Sequence, residues 1–220
     1  MKHHVGKKIG LGIIGLFTLI FFAYVIIQYF VLGPSHKVGF VSTKTNVPYH
    51  PWIYFLYVHI TFGSIALLTG AFQFNKKWRQ KNKTRHRTIG KTYVVSVVIA
   101  FLAGLYLAYY GTGGVTGVIG FYSLELAWIT PTIIGFFKIR NHNIKEHKEW
   151  MFRSYAVTLT FVSFRIFVIP VVGITRGNPG MLFGLTLIFS LIFNLLIAEL
   201  IIINLKKIKL KTNHHLQLDN

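Results

Sequence analysis

The chain alternates long apolar stretches with short polar segments. Six stretches are long enough to cross about 30 Å of hydrocarbon, for which a helix needs about 20 residues. They lie near residues 9–32, 51–74, 92–110, 115–137, 154–175 and 181–205. This pattern predicts an all-α fold, a polytopic integral membrane bundle of six transmembrane helices. We expect residues 1–220 to form a single transmembrane domain.

The composition excludes several classes of protein. Hydrophobic residues make up 53% of the chain and charged residues only 13%, whereas soluble domains carry about 25% charged residues. A soluble enzyme is therefore not expected. The chain has no cysteine, so disulfide-stapled secreted folds, thiol chemistry and thiolate-bound metal centres are excluded as well.

The net charge of +19 is unevenly distributed along the chain. If the N-terminus is cytoplasmic, 20 of the 24 lysines and arginines lie in cytoplasmic segments, and only Lys37, Lys44 and Arg176 lie outside. The positive-inside rule then places both termini in the cytoplasm. We expect a bacterial plasma (inner) membrane protein whose basic segments meet anionic lipid headgroups. Nucleic acid is not an expected partner, because the basic loop at 76–87 has a single aromatic residue and thus no stacking platform.

Three ionisable residues lie far from the ends of the predicted spans, where each costs about 2.5–3.5 kcal/mol on insertion scales. By helical rise, His59, Glu125 and Arg165 all lie roughly 12–15 Å below the outer surface. We term them the outer layer and predict an intramembrane polar cluster. Two structural alternatives remain open: an ion pair of Glu125 with Arg165 that only fixes packing, and a His59 ring bonded to a backbone carbonyl.

Helical spacing predicts a second set of polar residues near the cytoplasmic ends of the spans. Gln73 shares one helical face with His59 on the second span, and His86 shares one with Tyr93 on the third. His147 begins a similar face on the fifth span. With two neighbouring arginines these form the inner layer: Gln73, His86, Arg87, Tyr93, His147 and Arg153.

Other polar and aromatic residues have simpler interpretations. Glu199 lies beside Lys206 and Lys207 near the inner end of the last span, where pairing and snorkelling would explain it. Trp52 and Tyr54 near the outer end of the second span are typical of an interfacial aromatic belt. Histidines in basic interfacial segments can simply face headgroups, and this alternative stays open for the inner layer.

Four motifs in order identify a family resemblance. They are His59–Gly63 (HITFG), Gly70–Gln73 (GAFQ), Arg85–Tyr93 (RHRTIGKTY) and His147–Tyr155 (HKEWMFRSY). Together they resemble the bacterial predicted membrane protein family called domain of unknown function 2306, over about residues 54–165. The resemblance implies a multi-span fold and brings no activity with it.

The leading functional hypothesis is a membrane protein that binds a redox cofactor, either haem b or a quinone. His86 and His147 would ligate the haem iron or hold a quinone head group, and Arg87 or Arg153 would pair with haem propionates. The outer layer would bind a polar head or relay a proton. Such a protein would be an electron-transfer protein or an oxidoreductase, and whether it is an enzyme stays open.

Two alternatives come from other classes of protein. In a proton-coupled small-molecule transporter, Glu125 and Arg165 would form a titratable site near mid-membrane. In an assembly factor for a membrane complex, stripes of small residues would dock partner subunits or a second copy of the chain.

Overall fold

The computed structural model describes residues 15–16, 19–32, 47–74, 80–174 and 179–218, and this part of the chain is 92% helical with no strands. The last residues of the first helix, Ile26–Val31, are π-helical. The helices are α1 Leu19–Val31, α2 Tyr49–Gln73, α3 Lys83–Tyr109, α4 Gly114–Arg140, α5 Ile144–Thr158, α6 Thr160–Ile174 and α7 Pro179–Leu218. The predicted all-α bundle of six spans is confirmed.

Five segments are long and apolar enough to cross a membrane, and α5 and α6 together make one of them, Ile144–Val171. The first predicted span is represented by the shorter apolar helix α1, because residues 9–14 and 17–18 lie outside the described part of the chain. The described helices therefore account for each of the six predicted stretches.

Two spans begin earlier than the sequence pattern predicts. Helix α3 starts at Lys83 and α5 at Ile144, inside basic segments that hydropathy assigns to loops. In each case an asparagine caps the helix: the side chain of Asn82 accepts a bond of 3.1 Å from the Arg85 amide, and that of Asn143 one of 3.2 Å from the Glu146 amide. Because such caps satisfy the first free amides, the helices extend beyond the hydrocarbon.

The helices pack in sequence-neighbouring pairs around a common core. Helix α2 packs against α3, α4 packs against α3, α5 and α7, and α7 also packs against α5 and α6. The core includes Tyr93, Val97, Trp128, Phe164 and Leu187, from α3, α4, α6 and α7. Ala66 of α2 belongs to the same core. Helices α2, α4 and α6, which carry the outer-layer residues, therefore face one interior.

Glycines allow α4 and α7 to approach closely. A Cβ added to Gly184 would lie 2.5 Å from the backbone nitrogen of Gly117. Gly113, just before α4, has a φ of 109°, and a Cβ there would lie 2.5 Å from the carbonyl oxygen of Gly180. Without a hydrophobic driving force between helices in lipid, such backbone proximity is a main source of helix association.

We predict that Gly184→Ala destabilises the bundle by about 1–3 kcal/mol, as expected for overpacking against an unyielding backbone. The measurement is thermal unfolding of the detergent-purified protein. Gly63→Ala on α2 is the control, since nothing lies within 4 Å of the added Cβ. Equal unfolding temperatures of the two variants would contradict the importance of this crossing.

Candidate functional site

A cavity of about 190 Å³ lies among α1 to α7 on the side of the outer layer. His59, Glu125 and Arg165 all line it. Its remaining wall is mainly apolar and rich in aromatic rings, among them Tyr24, Trp52, Phe121, Trp128, Phe161 and Phe164. We call this space the outer cavity.

The aromatic-belt interpretation is wrong for Trp52. Its side chain is 2% exposed and belongs to a core cluster with Val25 and Tyr29 of α1. Tyr54, two residues on, is 61% exposed and faces outward. The two side chains point in different directions because they are about 200° apart around the helix axis.

Glu125 is the most deeply buried charged residue in the described part of the chain, at 3% exposure. Its Oε1 atom lies 3.9 Å from Nδ1 of His59. Its Oε2 atom is buried with no hydrogen-bond partner among the described residues. Gly104 of α3 makes room for this carboxyl group, since a Cβ there would lie 2.8 Å from Oε2.

The imidazole of His59 is held by the backbone of α3. Its Nδ1 lies 2.9 Å from the carbonyl oxygen of Ala100, which can only accept, so Nδ1 carries the hydrogen. In the neutral ring Nε2 is then an acceptor. The ring also meets Trp128 edge to face, at 6.4 Å between centroids. The carbonyl-bonded alternative therefore describes His59, and the ring still lines the cavity.

Arg165 does not form the expected ion pair with Glu125. Among the ion pairs of the described residues, none joins an Arg165 nitrogen to a Glu125 oxygen within 4.0 Å. The Arg165 guanidinium carbon lies 5.8 Å from the ring centroid of Tyr24 on α1. Its Nε is buried with no hydrogen-bond partner in the described chain. The two residues, which were expected at the same depth, thus line one cavity but are not in contact.

The six inner-layer residues lie away from the outer cavity, and none of them lines it. Arg87 is exposed and His86 half-buried. His147 has its Nδ1 2.7 Å from the carbonyl oxygen of Gly135. No group of three or more potential metal ligands occurs in the residues that were described; ligation of haem iron by two histidines stays a prediction.

Arg153 is already engaged by another side chain. Its Nε and one terminal nitrogen donate to the two carboxylate oxygens of Glu199, the second over 3.0 Å, and its guanidinium stacks on Trp150 at 4.7 Å. This corrects the expected pairing of Glu199 with Lys206, which instead lies 2.7 Å from Glu149. Arg153 therefore clamps α5 to α7, and its pairing with a haem propionate stays a prediction.

A buried hydroxyl network, which the sequence analysis missed, joins α3, α4 and α5. The Tyr93 hydroxyl lies 2.6 Å from Ser154 Oγ and 2.9 Å from Thr158 Oγ1. Thr132 Oγ1 lies 2.6 Å from Ser154 Oγ, and the Trp128 indole donates to Thr158 over 2.8 Å. The sequence signal that was missed is a pair of polar residues four positions apart on each of two helices. Residues 128 and 132 form the pair on α4, residues 154 and 158 form the pair on α5, and the two pairs face each other.

Gln73 lies beside α3 at the end of α2, on the side of this network away from the outer cavity. Its Oε1 is 3.7 Å from where a Cβ on Gly90 would lie, and its Nε2 is buried without a partner among the described residues. Tyr93 itself is 1% exposed. Tyr93 is the most deeply buried residue of the inner layer.

Comparison with known proteins gives one family match. The model of the family described as "Predicted membrane protein (DUF2306)" matches residues 56–202, two thirds of the chain. No curated protein and no solved structure matches the chain.

We predict that Gly104→Ala destabilises the protein through its clash with the Glu125 carboxyl group, by about 1–3 kcal/mol. In a Glu125→Ala background the same change should cost little, because the obstructing group is gone. The measurement is a double-mutant cycle on thermal unfolding. Additive effects of the two substitutions would show that Glu125 does not pack against Gly104.

Proposed function

We propose that this chain, which belongs to the predicted membrane protein family DUF2306, binds the head group of a lipid-soluble quinone in its outer cavity. The protein is a multi-pass membrane protein, so a ligand with an isoprenoid tail reaches it through the bilayer. The proposal moves the quinone site from the inner layer, where sequence spacing suggested it, to the outer layer.

One observation carries this proposal. A carboxyl oxygen of Glu125 and the Nε of Arg165 are both buried without hydrogen-bond partners in the described chain, and both residues line one cavity. Leaving such groups unpaired costs about 1–3 kcal/mol each, and more when they are charged. A ligand that offers acceptors to the arginine and a donor or acceptor to the glutamate would recover this free energy.

The cavity has the dimensions and walls that a single ring requires. An apolar cavity of about 150 Å³ suffices to bind benzene in another protein, and the outer cavity has about 190 Å³. Phe121, Trp128 and Phe161 line it and can stack on or meet the edge of a planar ring. A mostly apolar wall with few convergent polar groups is typical of small-molecule sites.

The polar groups suit both redox forms of a quinone head. Arg165 can donate to a ring carbonyl oxygen, and a protonated Glu125 can donate to a second one. In the reduced form, a ring hydroxyl can donate to the Glu125 carboxylate or to Nε2 of His59, which is an acceptor when Nδ1 bonds to Ala100. Haem is the weaker candidate, because Arg153 is occupied by Glu199.

The test is quenching of tryptophan fluorescence by a short-chain quinone added to the protein in lipid nanodiscs. Trp52 and Trp128 line the cavity, so bound quinone should quench them saturably. Arg165→Gln should weaken binding by about tenfold or more, the effect of losing a charged hydrogen bond. Arg140→Gln is the matched control, since Arg140 is exposed at the end of α4.

Equal quinone affinity in the Arg165→Gln and Arg140→Gln variants would overturn the proposal. So would non-saturable quenching, which reports quinone dissolved in lipid rather than bound. A haem absorption band in the purified protein that disappears in His147→Ala would instead support the haem hypothesis at the inner layer.

A further inference from the structure

The hydroxyl network begins at the outer cavity and leads away from it. Trp128 and Thr158 line the cavity. Thr132 and Ser154 lie one helical turn further toward the cytoplasmic ends of α4 and α5, and both are 0% exposed. The Tyr93 hydroxyl of α3 contacts Ser154 and Thr158. A continuous series of hydrogen-bonded oxygens thus runs inward from the cavity wall.

The network has fewer hydroxyl and indole hydrogens than hydrogen-bond contacts. Tyr93, Thr132, Ser154 and Thr158 bring one hydroxyl hydrogen each and Trp128 one indole hydrogen. They make six close contacts, four among these side chains and two from the threonines to the carbonyl oxygens of Trp128 and Ser154. Since a hydroxyl both donates and accepts, the bonds can be arranged in more than one way.

Two buried hydroxyls of α7, those of Thr186 and Ser190, do not join such a series. Thr186 and Ser190 of α7 are 6% and 0% exposed. Thr186 donates to the carbonyl of Leu182 and Ser190 to that of Thr186, each over 2.7 Å within the same helix. This is the ordinary way in which a helix satisfies a buried hydroxyl. Linking four hydroxyls of three helices is not needed for that purpose.

Gln73 of α2 lies beyond the network, toward the cytoplasmic end of the bundle. A Cβ on Gly70 would lie 2.9 Å from the Tyr93 ring, so α2 comes close to α3 at this level. Gln73 follows one turn later on α2, with its buried Nε2 unpartnered in the described chain. Beyond it lie the basic segments that the positive-inside rule assigns to the cytoplasm.

We propose that this hydroxyl network conducts protons between Glu125 in the outer cavity and the cytoplasmic end of the bundle. The Glu125 carboxyl group gives its proton to an oxygen of the network, and each hydroxyl passes its own hydrogen to the next. Water at the cytoplasmic end takes up the last proton, and water on the outer side returns a proton to the Glu125 carboxylate. Every O–H bond broken is replaced by one formed, and no electron moves. The activity does not require a bound quinone.

The experiment measures proton flux into liposomes that contain the purified protein and a trapped pH-sensitive dye. A potassium gradient with valinomycin drives the flux, and no quinone is added. We expect wild-type flux above that of protein-free liposomes, and Ser154→Ala should lower it to the protein-free level. Ser190→Ala, an equally buried serine without hydroxyl neighbours on other helices, should keep the wild-type flux.

A second matched pair guards against misfolding of one variant. Thr132→Val should abolish the flux and Thr186→Val should retain it, with thermal unfolding confirming that each is folded. Equal flux within both pairs would overturn the proposal, as would wild-type flux no greater than that of empty liposomes. Quinone affinity of the same variants distinguishes the two proposals, because loss of flux with intact quinone binding, or the reverse, assigns each result to one of them.

Discussion

The dominant constraint on this bundle is the cost of placing a carboxyl group within the hydrocarbon. Glu125 is 3% exposed and has no cation within 4.0 Å among the described residues except the histidine ring at 3.9 Å. An ionised carboxylate there is expensive unless it is paired. Gly104 leaves space for the group, and His59 is fixed opposite it by the Ala100 carbonyl. Three helices, α2, α3 and α4, thus meet at one costly side chain.

Satisfying polar groups also explains how the helices are held in register. Within lipid, helices satisfy their own backbones, so specificity between them must come from close packing and side-chain bonds. The approach of Gly184 to α4 is an example of close packing, and the hydrogen bond between Tyr93 and Ser154 is an example of a side-chain bond. At the end of the bundle that carries the basic segments, an ionised side chain costs less free energy, and there Arg153 and Glu199 link α5 to α7.

Span number and depth could be read from the sequence, but the direction of each side chain could not. A span is set by its length and composition, and depth is expected from helical rise. His59, Glu125 and Arg165, which were expected at one depth, all line one cavity. Whether two of them touch depends on the rotation of each helix, which apolar all-round helices do not encode. Arg165 points to Tyr24 of α1, a residue with no distinguishing pattern.

Trp128 belongs to both the outer cavity and the hydroxyl network, and this couples the two. Its ring lines the cavity and meets His59, while its indole nitrogen donates to Thr158. A head group that shifts this ring would break the bond to Thr158 and leave its hydroxyl to bond elsewhere. Loss of that bond removes one hydrogen and one contact together, and the four hydroxyl hydrogens then serve the five contacts that remain. A ligand in the cavity would therefore change which oxygens donate and which accept without breaking the series. Trp128 would in this way join ligand binding to proton transfer.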